Sequence, residues 1–167
     1  MKKSILITAI MISIAVNAQV RFGDAENFAV SIYVDPGASK KEQGLDIGAD
    51  VEYRGAIYAK AGIESFEALP GNYFDIHAAV GPRITIGAKE NLSIYSGIRG
   101  GVVYRYGNPN PILGFEFGTD YTFPGGLLIG LNASTMKRGD VEKLYGKEDF
   151  WRGNFYIRIG YKWDWRK

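Results

Sequence analysis

Phe155-Tyr156-Ile157-Arg158-Ile159-Gly160-Tyr161-Lys162-Trp163-Asp164-Trp165 alternates without a break. Phe155, Ile157, Ile159, Tyr161, Trp163 and Trp165 share one parity. Asn154, Tyr156, Arg158, Gly160, Lys162 and Asp164 share the other. Successive side chains of a strand point to opposite faces, so period two is a strand signature. One face here is apolar or aromatic throughout, and the other is mostly polar, charged or glycine. Such a strand separates two unlike environments.

Seven further segments obey the same rule. Phe28 to Val34, Leu45 to Arg54, Ile57 to Glu64 and Phe74 to Ile86 make up the first half. Leu92 to Arg105, Leu113 to Phe123 and Leu127 to Ser134 precede the last strand. The connections alternate in length. Arg54-Gly55, Ala88 to Asn91 and Pro124 to Gly126 read as tight turns. Pro36 to Gly44, Glu67 to Asn72, Gly107 to Pro111 and Lys137 to Trp151 read as longer or irregular loops. Short turns at one end and longer loops at the other are characteristic of outer-membrane barrels. Pro82 falls within a strand, where it removes a ladder donor, and predicts a local bulge.

The N-terminus predicts export. Met1-Lys2-Lys3 is a basic start, Ser4 to Val16 is mostly apolar, and Val16-Asn17-Ala18 offers a cleavage site before Gln19. The expected organisation is a signal peptide over 1–18, an N-terminal lead over 19–27 and one barrel domain over 28–167. The chain has no cysteine, which excludes a lipid-anchoring cysteine and any disulfide. Without Lys2 and Lys3 the formal charge of +2 falls to about zero. A neutral chain argues against nucleic-acid binding, which relies on Lys and Arg. No apolar stretch after the signal is long enough for a membrane helix, so a membrane-spanning form must be a closed barrel.

Alternation alone leaves open which face turns inward. Three features favour charges inside and apolar residues toward lipid. The polar face carries both signs. Asp46, Asp50, Glu52, Glu64, Asp75, Glu116 and Asp120 stand against Lys60, Arg83, Arg99, Arg105, Arg158 and Lys162, with Arg54 on the same parity and His77 among them. These groups are expected to form an ion-paired network filling a narrow eight-stranded lumen. Glycines collect on the same face. Aromatics gather toward strand ends, as an interfacial girdle requires: Tyr53, Tyr58, Phe123, Tyr161, Trp163 and Trp165 near the turns, and Phe74, Tyr104, Phe115 and Trp151 toward the loops. The expected fold is all-β, an eight-stranded antiparallel up-and-down transmembrane barrel.

Arg158, Gly160, Trp163 and Trp165 resemble the C-terminal signal read by the barrel-assembly machinery: a polar residue, glycine two positions on, then two aromatics spaced by one. Arg166 and Lys167 follow, a departure from members that stop on the aromatic. In pattern, the chain after the signal is similar throughout to small OmpA/OmpX-type barrels, a porin-family-like domain. That resemblance implies residence in the outer membrane of a Gram-negative bacterium, contact with its lipid, and assembly-machinery recognition. It also implies a monomer acting in adhesion, envelope integrity or defence, with a surface ligand at the outer loops and no cofactor.

His77 is the one histidine, and there is no cysteine, so zinc-type sites lack ligands. Lipid A deacylases of this size look like a His-Ser pair at a lipid-accessible strand end, whereas His77 falls mid-strand on the inner face. No catalytic or metal residue is expected. Gly97 to Gly101 continues a strand and is not a phosphate loop. Lys137 to Asp149 reads as a solvated loop. Two alternatives to an anchoring barrel stay open: a narrow pore for small ions, and a lipid-modifying enzyme.

Overall fold

Burial alternates along every long strand, and this two-faced pattern closes into a barrel. The computed structural model describes residues 20–22, 27–42, 44–67, 72–87, 91–146 and 151–163. The expected signal peptide, its Ala18–Gln19 cleavage site and Trp165 lie outside these residues.

A short strand, β1 (Val20–Phe22), precedes eight long ones: β2 (Asn27–Val34), β3 (Asp46–Arg54), β4 (Ile57–Phe66), β5 (Tyr73–Ile86), β6 (Leu92–Arg105), β7 (Asn108–Thr122), β8 (Leu127–Arg138) and β9 (Trp151–Trp163). Each of β2 to β9 pairs antiparallel with its sequence neighbours, and β9 returns to β2 with Ile32 opposite Ile159. The result is a closed up-and-down barrel without open edges along its wall. Two short helices stand at one end: α1 (Pro36–Glu42) between β2 and β3, and α2 (Gly139–Tyr145) between β8 and β9. This is the loop end. The turns after β3, β5 and β7 mark the turn end.

The outer face is apolar. Ile32, Val51, Ile76, Ile98, Phe115, Phe117, Leu131 and Ile159 are all exposed. The inner face buries Asp, Glu, Arg and Lys side chains. In water this would be a soluble fold turned inside out. Lipid around the wall resolves it, because acyl chains cover the apolar belt and every wall hydrogen bond is made within the barrel.

Two local expectations are corrected, and one pairing is added. Gly107 to Pro111 is not an irregular loop. Tyr106 and Gly107 alone join β6 to β7, both with positive φ (51° and 75°), and Arg105 pairs with Asn108. Backbone twist at positive φ matches the strand twist, which favours such two-residue hairpins. Pro109 and Pro111 are tolerated because β8 begins to pair only at Ile112, leaving one side of β7 without a partner strand there. Pro82 makes a gap rather than a bulge. Val80 faces Ile98 and Arg83 faces Tyr95, so no residue is inserted between the two ladders. An apolar recess of about 570 Å³, lined by Pro82, Ile98, Phe115 and Phe117 among others, opens on the outer wall beside the gap. Finally, β1 pairs antiparallel with the far end of β5, Val20 opposite Ile86 and Phe22 opposite Ile84. The N-terminal lead therefore adds a strand where β5 runs beyond β4.

Candidate functional site in the barrel lumen

The strand pleat sends every second side chain inward, so the lumen is assembled from all eight wall strands. Asp46, Asp50, Glu52, Lys60, Glu64, Asp75, His77, Arg83, Arg99, Arg105, Glu116, Asp120 and Arg158 are all buried there, and Lys162 is half-buried at the turn end.

At the loop end Phe66, Tyr73, Val103, Ile112 and Met136 form an apolar cluster, with Ala38 of α1 packed against it. Cations lie on its rings. The Arg138 guanidinium carbon is 4.4 Å from the Tyr73 ring centre, Arg105 is 5.2 Å from the same ring, and Arg152 is 5.1 Å from that of Phe66. Asp140, from the first turn of α2, accepts hydrogen bonds from Arg138 Nε (2.8 Å), Arg138 Nη2 (2.9 Å) and Arg105 Nε (2.9 Å). Burial alone would raise the Asp140 carboxyl, but the hydrogen bonds and charges of Arg138 and Arg105 hold it below its ordinary value of 3.8.

The middle layer centres on Glu64. It accepts hydrogen bonds from Tyr73 Oη (3.1 Å), Arg99 Nη2 (3.1 Å) and Tyr156 Oη (2.9 Å). His77 Nδ1 lies 2.7 Å from Asp75 Oδ1 and 3.0 Å from Arg99 Nη2, and its Nε2 is 3.5 Å from Tyr33 Oη. His77 is only 3% exposed, and both of its ring nitrogens have polar neighbours.

Below it Lys60 Nζ donates to Glu116 Oε2 at 2.8 Å, and Tyr58 Oη donates to Glu116 Oε1 at 2.9 Å. Arg158 reaches across the barrel to Asp50 (2.9 Å), Glu52 (3.0 Å), Ser31 (3.0 Å) and Tyr95 (2.6 Å). Arg83 bonds Glu52 at 2.9 Å and Ser93 at 2.6 Å.

Two of the girdle residues are placed differently from expectation. Tyr58 is 0% exposed and points inward to Glu116. Its parity matches Lys60, Gly62 and Glu64, and parity overrides the aromatic preference for interfaces. Phe115 is the central residue of β7, because that strand begins at Asn108, and so lies mid-belt rather than at a rim. Tyr53, Phe74, Tyr104, Phe123, Trp151, Tyr161 and Trp163 point outward near strand ends. Phe28 stacks on Trp163 at 6.3 Å and meets Tyr53 edge-on at 5.7 Å, tying β9, β2 and β3 at the turn end. Of the segment resembling an assembly signal, Arg158 and Gly160 face the lumen and Trp163 faces outward.

Four lumen tyrosines, Tyr33, Tyr73, Tyr95 and Tyr156, were not singled out from the sequence, nor were Arg138 and Asp140. Each tyrosine shares the parity of neighbouring charges, the one signal that could have marked them. Several inward glycines make room for rings. A Cβ at Gly48 would clash with the Tyr33 ring, and one at Gly118 with the Tyr95 ring.

No protein-family model and no curated protein matches this sequence. Among solved structures, the chain is similar to the Yersinia pestis outer membrane protein Ail in a phospholipid bilayer nanodisc. The TM-score is 0.51 at 11% identity, over 83% of this chain and 99% of that one. It is also similar to a de novo designed transmembrane β-barrel, with a TM-score of 0.53 at 13% identity, over 86% of this chain and 100% of that one. The chain has the fold of a small outer-membrane β-barrel. At these identities the likeness is one of fold, and the apolar wall around a charged interior is the physical reason for it.

Proposed function

We propose that this protein is a closed outer-membrane anchor with a structural or surface-interaction role, displaying the compact surface built by α1 and α2. The observation that carries this reading is the filling of the lumen. Arg99, Arg158 and Lys60 each bridge strands across the interior to carboxylates. The void beside Tyr33, His77 and Arg158 measures about 10 Å³, and the one at the turn end about 20 Å³, room for a water-sized particle rather than a solute path. In this reading the turn end faces the periplasm and the loop end faces outward, the protein is a monomer, and a cleaved signal peptide delivers it. The assembly machinery reads the Arg158 to Trp165 strand, and outer-membrane lipid covers the wall. The outer loops meet any surface ligand. His77 has no catalytic role.

Planar-bilayer recording tests closure. The expected result is baseline current, and discrete steady openings from the folded protein would overturn it. Complementation of a deletion strain tests the surface role. A chain whose α2 segment is replaced by a Gly-Ser linker is expected to keep detergent resistance and lose adhesion. Adhesion by that chain equal to that of the intact protein would overturn the surface reading.

A further inference from the structure

Among the described residues, charge does not balance at the turn end of the lumen. Arg54, Arg83, Arg158 and Lys162 converge there on Asp50, Glu52 and Asp120. Arg158 uses all three carboxylates, and Arg83 shares Glu52 with it. Arg54 reaches Asp120 at 3.4 Å and Glu52 at 4.0 Å. It is 2% exposed, yet none of its three nitrogens makes a hydrogen bond. The Lys162 backbone N–H donates to Gly126 O at 2.7 Å, but its ammonium makes no ion pair or hydrogen bond with a described residue. Among the described residues four cations thus face three carboxylates, and Asp120 Oδ2, 3.4 Å from Arg54 Nη1, makes no hydrogen bond either. A buried guanidinium held only by ion pairs at 3.4 and 4.0 Å, with no hydrogen bond, is costly, and a further acceptor would lower that cost.

The space for one is present. Arg54, Arg83 and Lys162 line a recess of about 20 Å³ with the hydroxyls of Thr85, Ser93 and Thr122. Asn27 and Gly55 complete the lining, so its charged groups are all cations and its hydroxyls can donate. Lys162, half-buried, stands at its opening. The recess is about the size of one water molecule, which suits a halide and excludes phosphate or sulfate.

We propose that the turn end of the lumen binds one halide-sized anion between Arg54, Arg83 and Lys162. The anion completes the charge balance of the lower layer and ties β3, β5 and β9 together at the mouth. Binding to the native state alone stabilises it as the anion concentration rises above its dissociation constant.

The test is urea unfolding of the full chain refolded in detergent micelles. Sodium chloride, bromide, phosphate and gluconate are compared at matched ionic strength, so that screening is equal. The expected result is a higher unfolding midpoint in chloride and bromide than in gluconate, rising with halide concentration, while phosphate matches gluconate. Arg54→Met is expected to abolish the halide shift. Lys162→Gln, at a half-buried position the barrel tolerates, is expected to weaken it and keeps the test decisive should Arg54→Met not fold. Equal midpoints in chloride and gluconate would overturn the proposal. Stabilisation by phosphate equal to that by chloride would overturn it too, as would a chloride shift unchanged in Lys162→Gln.

Discussion

The loop end of the lumen is shut by Phe66, Tyr73, Val103, Ile112 and Met136, with guanidinium planes laid on their rings. The turn end is held by Arg54, Arg83 and Arg158 sharing Glu52 and Asp120. The first closure is apolar volume, which depends on contact and shape. The second is a set of ions, which depends on each charge keeping its partner. One barrel therefore holds two kinds of plug, and substitutions separate them.

The largest effect is expected at the ionic end. Arg158→Leu strands Asp50 in a buried site, takes one cation from Glu52 and Asp120, and should cost about 4 kcal/mol in urea unfolding within lipid vesicles. A loss below about 1 kcal/mol would show that the lower layer is hydrated rather than closed. Met136→Ala at the loop end should cost about 3 kcal/mol by leaving a cavity in a cluster where Met136 is fully buried. Its effect should be insensitive to salt, and a salt-dependent loss would erase the contrast between the two ends.

Asp140→Asn sharpens the comparison, because Asp140 links the apolar cap to its cations. Losing its charge should cost about 2 kcal/mol near neutral pH. The Asp140 carboxyl is held below 3.8 in the folded state, so its contribution is present above that value and lost as pH falls through the depressed folded value. The difference in unfolding midpoint between wild type and Asp140→Asn should therefore shrink as pH falls below 3.8. A constant difference would mean that Arg138 and Arg105 do not stabilise the carboxylate. The smallest effect is expected from Tyr58→Phe, about 1 kcal/mol, because Glu116 keeps Lys60.

Much of the wall was legible in the residues. Parity is local, so Phe155 to Trp163 declares its outward and inward sides without help from the rest of the chain. The same parity marked Glu64, Asp75 and Arg99 as inward. Less legible were features set by neighbouring strands. Pro109 and Pro111 read as a loop because the missing β8 partner beside them is a property of the assembled sheet. Tyr58 reads as a girdle residue by its aromatic chemistry, while its place in the alternation puts it inside. The short pairing of Val20 to Phe22 with β5 carries no pattern of its own and depends on β5 outrunning β4.

By itself the sequence determined eight two-faced strands, the mixture of charges on one face and the apolar band on the other. These follow from a period of two and from residue chemistry, both readable within a few positions. Only the tertiary structure decided which cation meets which carboxylate. Arg158 finds Asp50 108 residues away, and Tyr156 finds Glu64 at a separation of 92. Such partners are chosen by barrel register and by side-chain reach across the lumen. The same long-range geometry left Arg54 without a hydrogen bond at the turn end and put rings under the arginines at the loop end.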